Sequence, residues 1–124
     1  MEVRAVSKYV RMSPRKLRRV AELIKGEPVD KALNILEFTH KAASRALYKT
    51  LKSAAANAIA AEGTARIKVE NLFVKQVTVD GGPIWKRIRP ASMGRAYLIR
   101  KRTAHVGITI AEKKAKTKAV ETKK

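Results

Sequence analysis

The chain switches several times between helical and strand-like spacing of its apolar residues, and each switch falls at a turn signal. Residues 2–12 mix Val3, Val6, Tyr9 and Val10 with Arg4, Lys8 and Arg11, a weakly alternating pattern that predicts a strand. Ser13-Pro14 then predicts a helix start. A serine at the N-cap can accept an orphan backbone N–H, and proline at the first helical position loses no bond. No Glu follows three residues later, so the cap lacks the reciprocal half of a capping box. Leu17, Val20, Ala21 and Ile24 keep i, i+3, i+4, i+7 spacing up to a stop at Gly26, while Arg15, Arg18 and Arg19 fall on the opposite face.

Pro28 restarts the chain, and Val29, Ala32, Leu33 and Leu36 predict a short second helix to about Phe38. Thr39 is the expected cap of a third, longer helix over roughly residues 40–61. At about 100° per residue, Ala43, Leu47, Leu51, Ala54 and Ala58 gather on one side of it, with Lys41, Arg45, Lys49 and Lys52 almost diametrically opposite. Like charges at i and i+4 destabilise a helix by roughly 0.2–0.5 kcal/mol per pair. No carboxylate between residues 41 and 61 relieves them. An ordinary solvated face mixes signs, so this stripe points to a polyanion.

Glu62-Gly63-Thr64 closes the helix. Over residues 65–80 the strand formers Ile67, Val69, Leu72, Phe73, Val74, Val77 and Val79 take over, and a slip of phase near Asn71-Leu72 predicts a bulge or a change of neighbour. Ala104, Val106, Ile108 and Ile110 alternate strictly with His105, Gly107 and Thr109, the pattern of a half-buried strand. From Glu112 the sequence EKKAKTKAVETKK has six lysines and no apolar period, and is expected to be a disordered basic tail. There is no internal repeat. The order β-α-α-α-β-β predicts an α+β fold: three helices packed on one face of a small antiparallel sheet, as a single domain over residues 1–111 with the tail at 112–124.

Composition turns this scaffold into a binding problem. The 124 residues suffice for one domain, and they carry 29 Lys and Arg against 10 Asp and Glu, a formal net charge of +19. At 45% hydrophobic the chain can build a core, and with six aromatic residues that core must be mainly Ala, Val, Leu and Ile. Cysteine is absent, which removes disulfides, thiolate metal sites and cysteine nucleophiles together. No apolar run approaches the roughly 18 residues that cross a bilayer, and Met1-Glu2-Val3-Arg4 has no apolar stretch of the kind a secretory signal needs. A compact polycation repels itself, so nucleic acid is the leading partner, with an anionic membrane second and acidic proteins third. Solubility alone asks only for a net charge of roughly 2–8.

The segment between Asp80 and Glu112 carries that argument furthest. It holds no acidic residue but seven bases, Lys86, Arg87, Arg89, Arg95, Arg100, Lys101 and Arg102. It opens on Gly81-Gly82-Pro83, has Pro90 near its middle and turns again at Gly94, so it reads as two arms of about ten residues over about 80–102. Each arm would reach roughly 30 Å. Neither has a clean apolar face, and an isolated two-stranded ribbon is marginal in water, so a free arm is expected to be mobile and ordered by an anionic partner. Trp85, Ile88, Met93, Tyr97 and Leu98 are interleaved with the bases. Cations hold phosphates, and planar or apolar side chains meet bases and sugars. The bland alternative, folding back on the core, fits Leu98 best, then Tyr97, and fits Trp85 least because that residue is expected near the tip.

No catalytic constellation is visible. His40 and His105 are 65 positions apart without neighbouring carboxylates, and the acids lie mostly near element ends. His105 is expected to hydrogen-bond locally or to face RNA. Gly81-Gly82-Pro83 leads into an extended arm and not into a helix, so it is no phosphate-binding loop. Ligands for a metal are missing too. The expectation is a protein without enzymatic activity, cofactor or metal. A DNA-architectural protein, whose basic arms wedge a proline tip into a minor groove, explains Pro90 equally well but leaves the one-sided third helix less explained. A membrane-active polycation would need larger apolar residues than the alanines of that helix.

Tyr9-Val10-Arg11-Met12-Ser13-Pro14-Arg15-Lys16, continuing to Ile24-Lys25-Gly26, resembles the opening of the bacterial large-subunit ribosomal protein twenty-two family. Ala32-Leu33-Asn34-Ile35-Leu36, Ser53-Ala54-Ala55-Ala56-Asn57-Ala58 and Val79-Asp80-Gly81-Gly82-Pro83 are further matches. Lys86-Arg87 with Pro90 and Gly94-Arg95-Ala96 resembles its hairpin, and Lys101-Arg102-Thr103-Ala104-His105-Val106 its return strand. The blocks run in order over about residues 3–111. The resemblance implies an early-assembling structural protein of the large subunit in the cytoplasm (or in an organelle), a monomer within the ribosome. Its globular part would lie near the exit of the peptide tunnel, and a long β-hairpin would pass through large-subunit (23S-type) rRNA to line that tunnel. Partners would be that rRNA, neighbouring large-subunit ribosomal proteins and the nascent polypeptide, with no membrane. On this reading the RNA-binding residues are Arg11, Ser13, Arg15, Lys16, Arg18, Arg19, Lys41, Arg45 and Lys49 on the body, and Lys86, Arg87, Arg89, Arg95, Arg100, Lys101, Arg102 and His105 on the hairpin strands. The tunnel-lining tip would be Trp85, Lys86, Arg87, Ile88, Arg89, Pro90, Ala91, Ser92, Met93 and Gly94. At one position the chain departs from the pattern, with Ala91 after the hairpin proline where the family usually carries Arg.

Changing Lys86, Arg87, Arg89 and Arg95 together to Ala is expected to leave the folded core intact by circular dichroism while ribosome assembly or tunnel function suffers. Loss of the globular fold in that variant would refute the division between core and arm.

Overall fold

The computed structural model describes residues 2–62 and 69–112. Strand β1 (Glu2–Val10) leads into helices α1 (Pro14–Ala21), α2 (Val29–Phe38) and α3 (Ala42–Glu62). A 3₁₀ turn (Val69–Asn71) then opens β2 (Leu72–Pro90), which returns through a second short 3₁₀ turn (Ser92–Gly94) into β3 (Ala96–Glu112). The three strands form one antiparallel sheet in the order β1-β3-β2. This is the predicted α+β arrangement, with all three helices on one face. The expected basic tail and the positions Ala65 and Ile67 lie outside the described residues.

The core forms where the apolar patterns said it would. Ala104, Val106, Ile108 and Ile110 of the central strand are completely buried. Leu17, Val20 and Ala21 of α1, Val29, Ala32 and Leu36 of α2, and Ala43, Leu47, Leu51, Ala54 and Ala58 of α3 join them in one buried cluster. The small side chains of α3 let its backbone lie close to β1 and β3, which it spans. Buried Thr50 donates to the Ala46 carbonyl at 2.9 Å, so at 2.7 Å its oxygen accepts the Ser7 hydroxyl, which ties α3 to β1 without an unpaired polar group.

Local chemistry departs from the sequence expectations at several points. Ser13 stands at the N-cap of α1, but its hydroxyl makes no capping bond; its carbonyl instead accepts Lys16 N–H and Leu17 N–H at 3.2 and 3.3 Å. Regular helix stops at Ala21, and Ile24 is buried by a looser continuation in which Leu23 and Ile24 bond three residues back. Gly26, at φ +79°, then turns the chain onto the outer edge of β2, where Gly26 N–H and the Glu27 carbonyl both pair with Val74. Thr39 does not cap α3. Its hydroxyl bonds back to the Ile35 carbonyl at the end of α2, and α3 begins only at Ala42. The phase slip at Asn71-Leu72 is the junction between the 3₁₀ turn and the strand, while the bulge in β2 lies between Val74 and Gln76. A second irregularity, at Tyr9 (φ +59°), shifts the register of β1 by one residue, so that Val10 pairs with Ala104.

Truncation of Ile108 to Ala is expected to cost about 2–5 kcal/mol in urea unfolding, because the buried site cannot collapse around the lost atoms. Val6→Ala, on the open face of β1, should cost under about 1 kcal/mol.

Candidate nucleic-acid interface

Beyond the pair Gly81↔Ala104, β2 and β3 leave the body and continue as a two-stranded ribbon from Ile84↔Arg102 to Pro90↔Ala96. Seven residues of each strand reach roughly 23 Å, less than the arm expected from sequence, because the first positions after Asp80 still belong to the sheet. Residues directly opposite share a face. One face therefore carries Ile84 with Arg102, Lys86 with Arg100, Ile88 with Leu98 and Pro90 with Ala96; the other carries Trp85 with Lys101, Arg87 with Ile99 and Arg89 with Tyr97. Lys86 directly against Arg100 is a like-charge pair that disfavours the ribbon on its own.

Every cation of the ribbon is exposed. Leu98 and Tyr97 do not fold back on the core; they are 48% and 57% exposed on the ribbon, and Trp85 is 48% exposed. Trp85 is also not at the tip. It pairs with Lys101, five positions before Pro90, so roughly 17 Å from the turn. The turn itself is residues 91–95, closed by Ala91 N–H to the Arg95 carbonyl at 2.9 Å and Arg95 N–H to the Ser92 carbonyl at 3.3 Å. Met93 and Gly94 both take left-handed conformations there, at φ +60° and +70°, and Met93 projects almost fully into solvent. A non-glycine residue held in this region costs roughly 1–2 kcal/mol.

The base of the ribbon is tightly built. Between Gly81 and Ile84 the register shifts, and Gly82-Pro83 bulge against Thr103. The buried Thr103 hydroxyl donates to the Pro83 carbonyl at 2.6 Å, and a Cβ on Gly82 would lie 2.5 Å from that hydroxyl. His105, an RNA-binding candidate, is half-buried beside this bulge. Its Nδ1 accepts the Tyr9 N–H at 3.2 Å, and the two rings meet edge-on at 5.1 Å. Arg18, another candidate, reaches across from α1 and donates from Nε and Nη2 to the Val79 carbonyl at 3.1 and 2.8 Å. Both side chains thus hold the fold at the root of the ribbon, and no periodicity in the sequence signals either bond.

On the body, Arg11, Arg15, Lys16 and Arg19 are exposed around α1, and Ser13 is half-buried beside them. Lys41, just before α3, and Arg45 and Lys49 on it are exposed, and Lys52 extends the same stripe. The first set lies on and just before α1, the second on and just before α3. Arg4, which the sequence pattern gave no role, lies over Gly107 on the uncovered face of the sheet, where an added Cβ would come within 2.6 Å of its Nη2. The ion pairs among the described residues, Lys31 with Glu27 and Lys75 with Glu2, use none of the candidate cations. No cluster of potential metal ligands occurs among the described residues, and no helix there is long and apolar enough to cross a membrane.

The fold and its surface define a class: a small α+β protein with a basic body and a protruding ribbon whose cations join no ion pair among the described residues. Residues 5–111 match the family model described as ribosomal protein L22p/L17e. The chain is 55% identical to the large ribosomal subunit protein uL22 of Maridesulfovibrio salexigens, over 90% of this chain and 99% of that protein. It is 54% identical to uL22 of Syntrophobacter fumaroxidans over 91% of this chain and all of that protein, and 49% identical to uL22 of Myxococcus xanthus over 92% and 99%. The chain belongs to the ribosomal protein L22p/L17e family, and it is a structural protein of the large ribosomal subunit rather than an enzyme.

Thr103→Val keeps the shape of that side chain but removes its bond to Pro83, leaving the carbonyl without its partner. Amide hydrogen exchange is expected to quicken across residues 84–102 while the core amides of β3 keep their protection; equal acceleration in both regions would show that the bond serves the whole domain.

Proposed function

We propose that this protein binds large-subunit rRNA through both of its basic surfaces and carries its ribbon through that RNA to the wall of the nascent-peptide tunnel. The observation that supports this reading most is the ribbon itself: seven cations that join no ion pair among the described residues, one like-charge pair across the strands, and aromatic residues on the same face as Lys101, Arg87 and Arg89. Such a surface neutralises phosphates and releases their counterions, while Trp85 and Tyr97 offer planes for bases or sugars. The body cations Arg11, Arg15, Lys16, Arg19, Lys41, Arg45 and Lys49 engage other RNA segments, so that one small protein fixes several of them relative to one another during assembly.

On this reading the turn at residues 91–95, with Ile88, Arg89 and Pro90 behind it, borders the nascent chain, and Trp85 to Arg87 lie deeper, among RNA. Ala91 presents no guanidinium at the tip, so contacts there fall to Arg89 and Arg95. Arg18 and His105 serve first as scaffold and Ser13 as part of the α1 surface. The working state is a monomer beside neighbouring large-subunit proteins in the cytoplasm.

Ultraviolet crosslinking in cells, with sequencing of the attached nucleic acid and mapping of the attached peptides, tests this directly. The expected result is crosslinks confined to large-subunit rRNA, with peptides from residues 84–102 among them. Crosslinks dispersed over DNA or many messenger RNAs would overturn it.

A further inference from the structure

Where α1 meets the root of the ribbon, the surface closes into a cleft of about 420 Å³. Its wall includes Arg15 and Arg18 from α1 and Arg102 from β3, with Ser13 at its edge, and no acidic side chain lines it. The two sides are packed together at the bottom, where a Cβ on Gly81 would lie 4.0 Å from the Pro14 ring. Three arginines from two elements therefore line one space, and none of them belongs to an ion pair among the described residues. One of the three is held in place: Arg18 spends Nε and one Nη2 hydrogen on the Val79 carbonyl, which leaves Nη1 and the second Nη2 hydrogen to donate.

We infer that this cleft is a phosphodiester site, taking one backbone phosphate of RNA between Arg15, Arg18 and Arg102. The inference rests on the RNA-binding role proposed above and narrows it to one place. A charge-assisted fork of N–H donors suits a phosphate oxygen, and the cleft has room for the phosphate with its flanking riboses. Arg18 is the positioning element. It bonds β2 and the anion from one guanidinium, so the phosphate joins α1 to the root of the ribbon and links the two RNA-binding surfaces. The half-buried Ser13 hydroxyl, which has no capping bond, is a further donor at the rim.

A double-mutant cycle on the full chain tests the site. The probe is an in vitro transcript of bacterial large-subunit rRNA, titrated over a range of salt concentrations, with an unrelated RNA of equal length in parallel. Arg15→Gln and Arg102→Gln should each weaken binding about tenfold at low salt. Because both act on one phosphate, the double variant should lose far less than the product of the two. The slope of log K against log salt should then flatten by about 0.7–0.9, one phosphate's worth. Lys31→Gln, remote from the cleft and paired with Glu27, should change neither quantity. Multiplicative losses with a doubled change of slope would mean two separate contacts and would overturn the shared site, as would unchanged binding in folded variants. Failure of the wild-type chain to prefer the large-subunit transcript would instead sink the proposed function, and the cycle, read on either RNA, would still decide the cleft.

Discussion

The burial of one strand holds the rest of this molecule in place. Ala104, Val106, Ile108 and Ile110 of β3 are the floor on which α1 and α3 sit, α2 packs beside them on α3 and β2, and β1 and β2 are held by hydrogen bonds to the two edges of β3. Apolar burial there is the main favourable term for a domain whose surface charges repel one another. The same strand is also one side of the ribbon. Within two residues, from Ala104 to Arg102, it passes from complete burial to the exposed surface. No linker separates the part that stabilises the protein from the protruding ribbon.

Charge and packing are therefore divided by position rather than balanced locally. Ion pairing could have quieted the stripe on α3 or the pair Lys86 and Arg100, yet the few carboxylates lie elsewhere, in pairs such as Glu27 with Lys31. A surface of this kind is destabilising in isolation, and its repulsion is relieved by an anionic partner. The core tolerates that burden because it uses small and aliphatic side chains that pack closely, and the buried hydroxyls of Ser44, Thr50 and Thr103 are all hydrogen-bonded.

Most of the fold was legible in the sequence, since period and burial report the same physical fact. The apolar faces of the helices and the alternation from Ala104 to Ile110 needed only their spacing. Features that depend on neighbours distant in sequence were not legible. Thr39 could cap α3 or bond back to α2, and geometry decided for Ile35. The bulge in β2 sits at Val74 because the chain after Gly26 pairs with that residue from the other side. The basic residues of the site were plain from composition, but their ranking was not. Arg18 and His105 look like any other exposed cation and strand histidine until Val79 and Tyr9 are brought beside them. Trp85 was misplaced toward the tip because pairing register, which no single strand reveals, sets its distance from the turn.

The bulge at Gly82-Pro83 does not interrupt β3, which runs unbroken from the turn to Glu112. That continuity has a mechanical consequence. A pull on the tip along the ribbon loads β3 in shear, and its hydrogen bonds to β1 and β2 then bear the load side by side. Bonds arranged so must yield together, whereas a strand peeled from its end loses them one at a time. The arm is thus a cantilever rooted in the buried centre of the sheet, where tension at its far end is spread over the hydrogen bonds on both edges of β3.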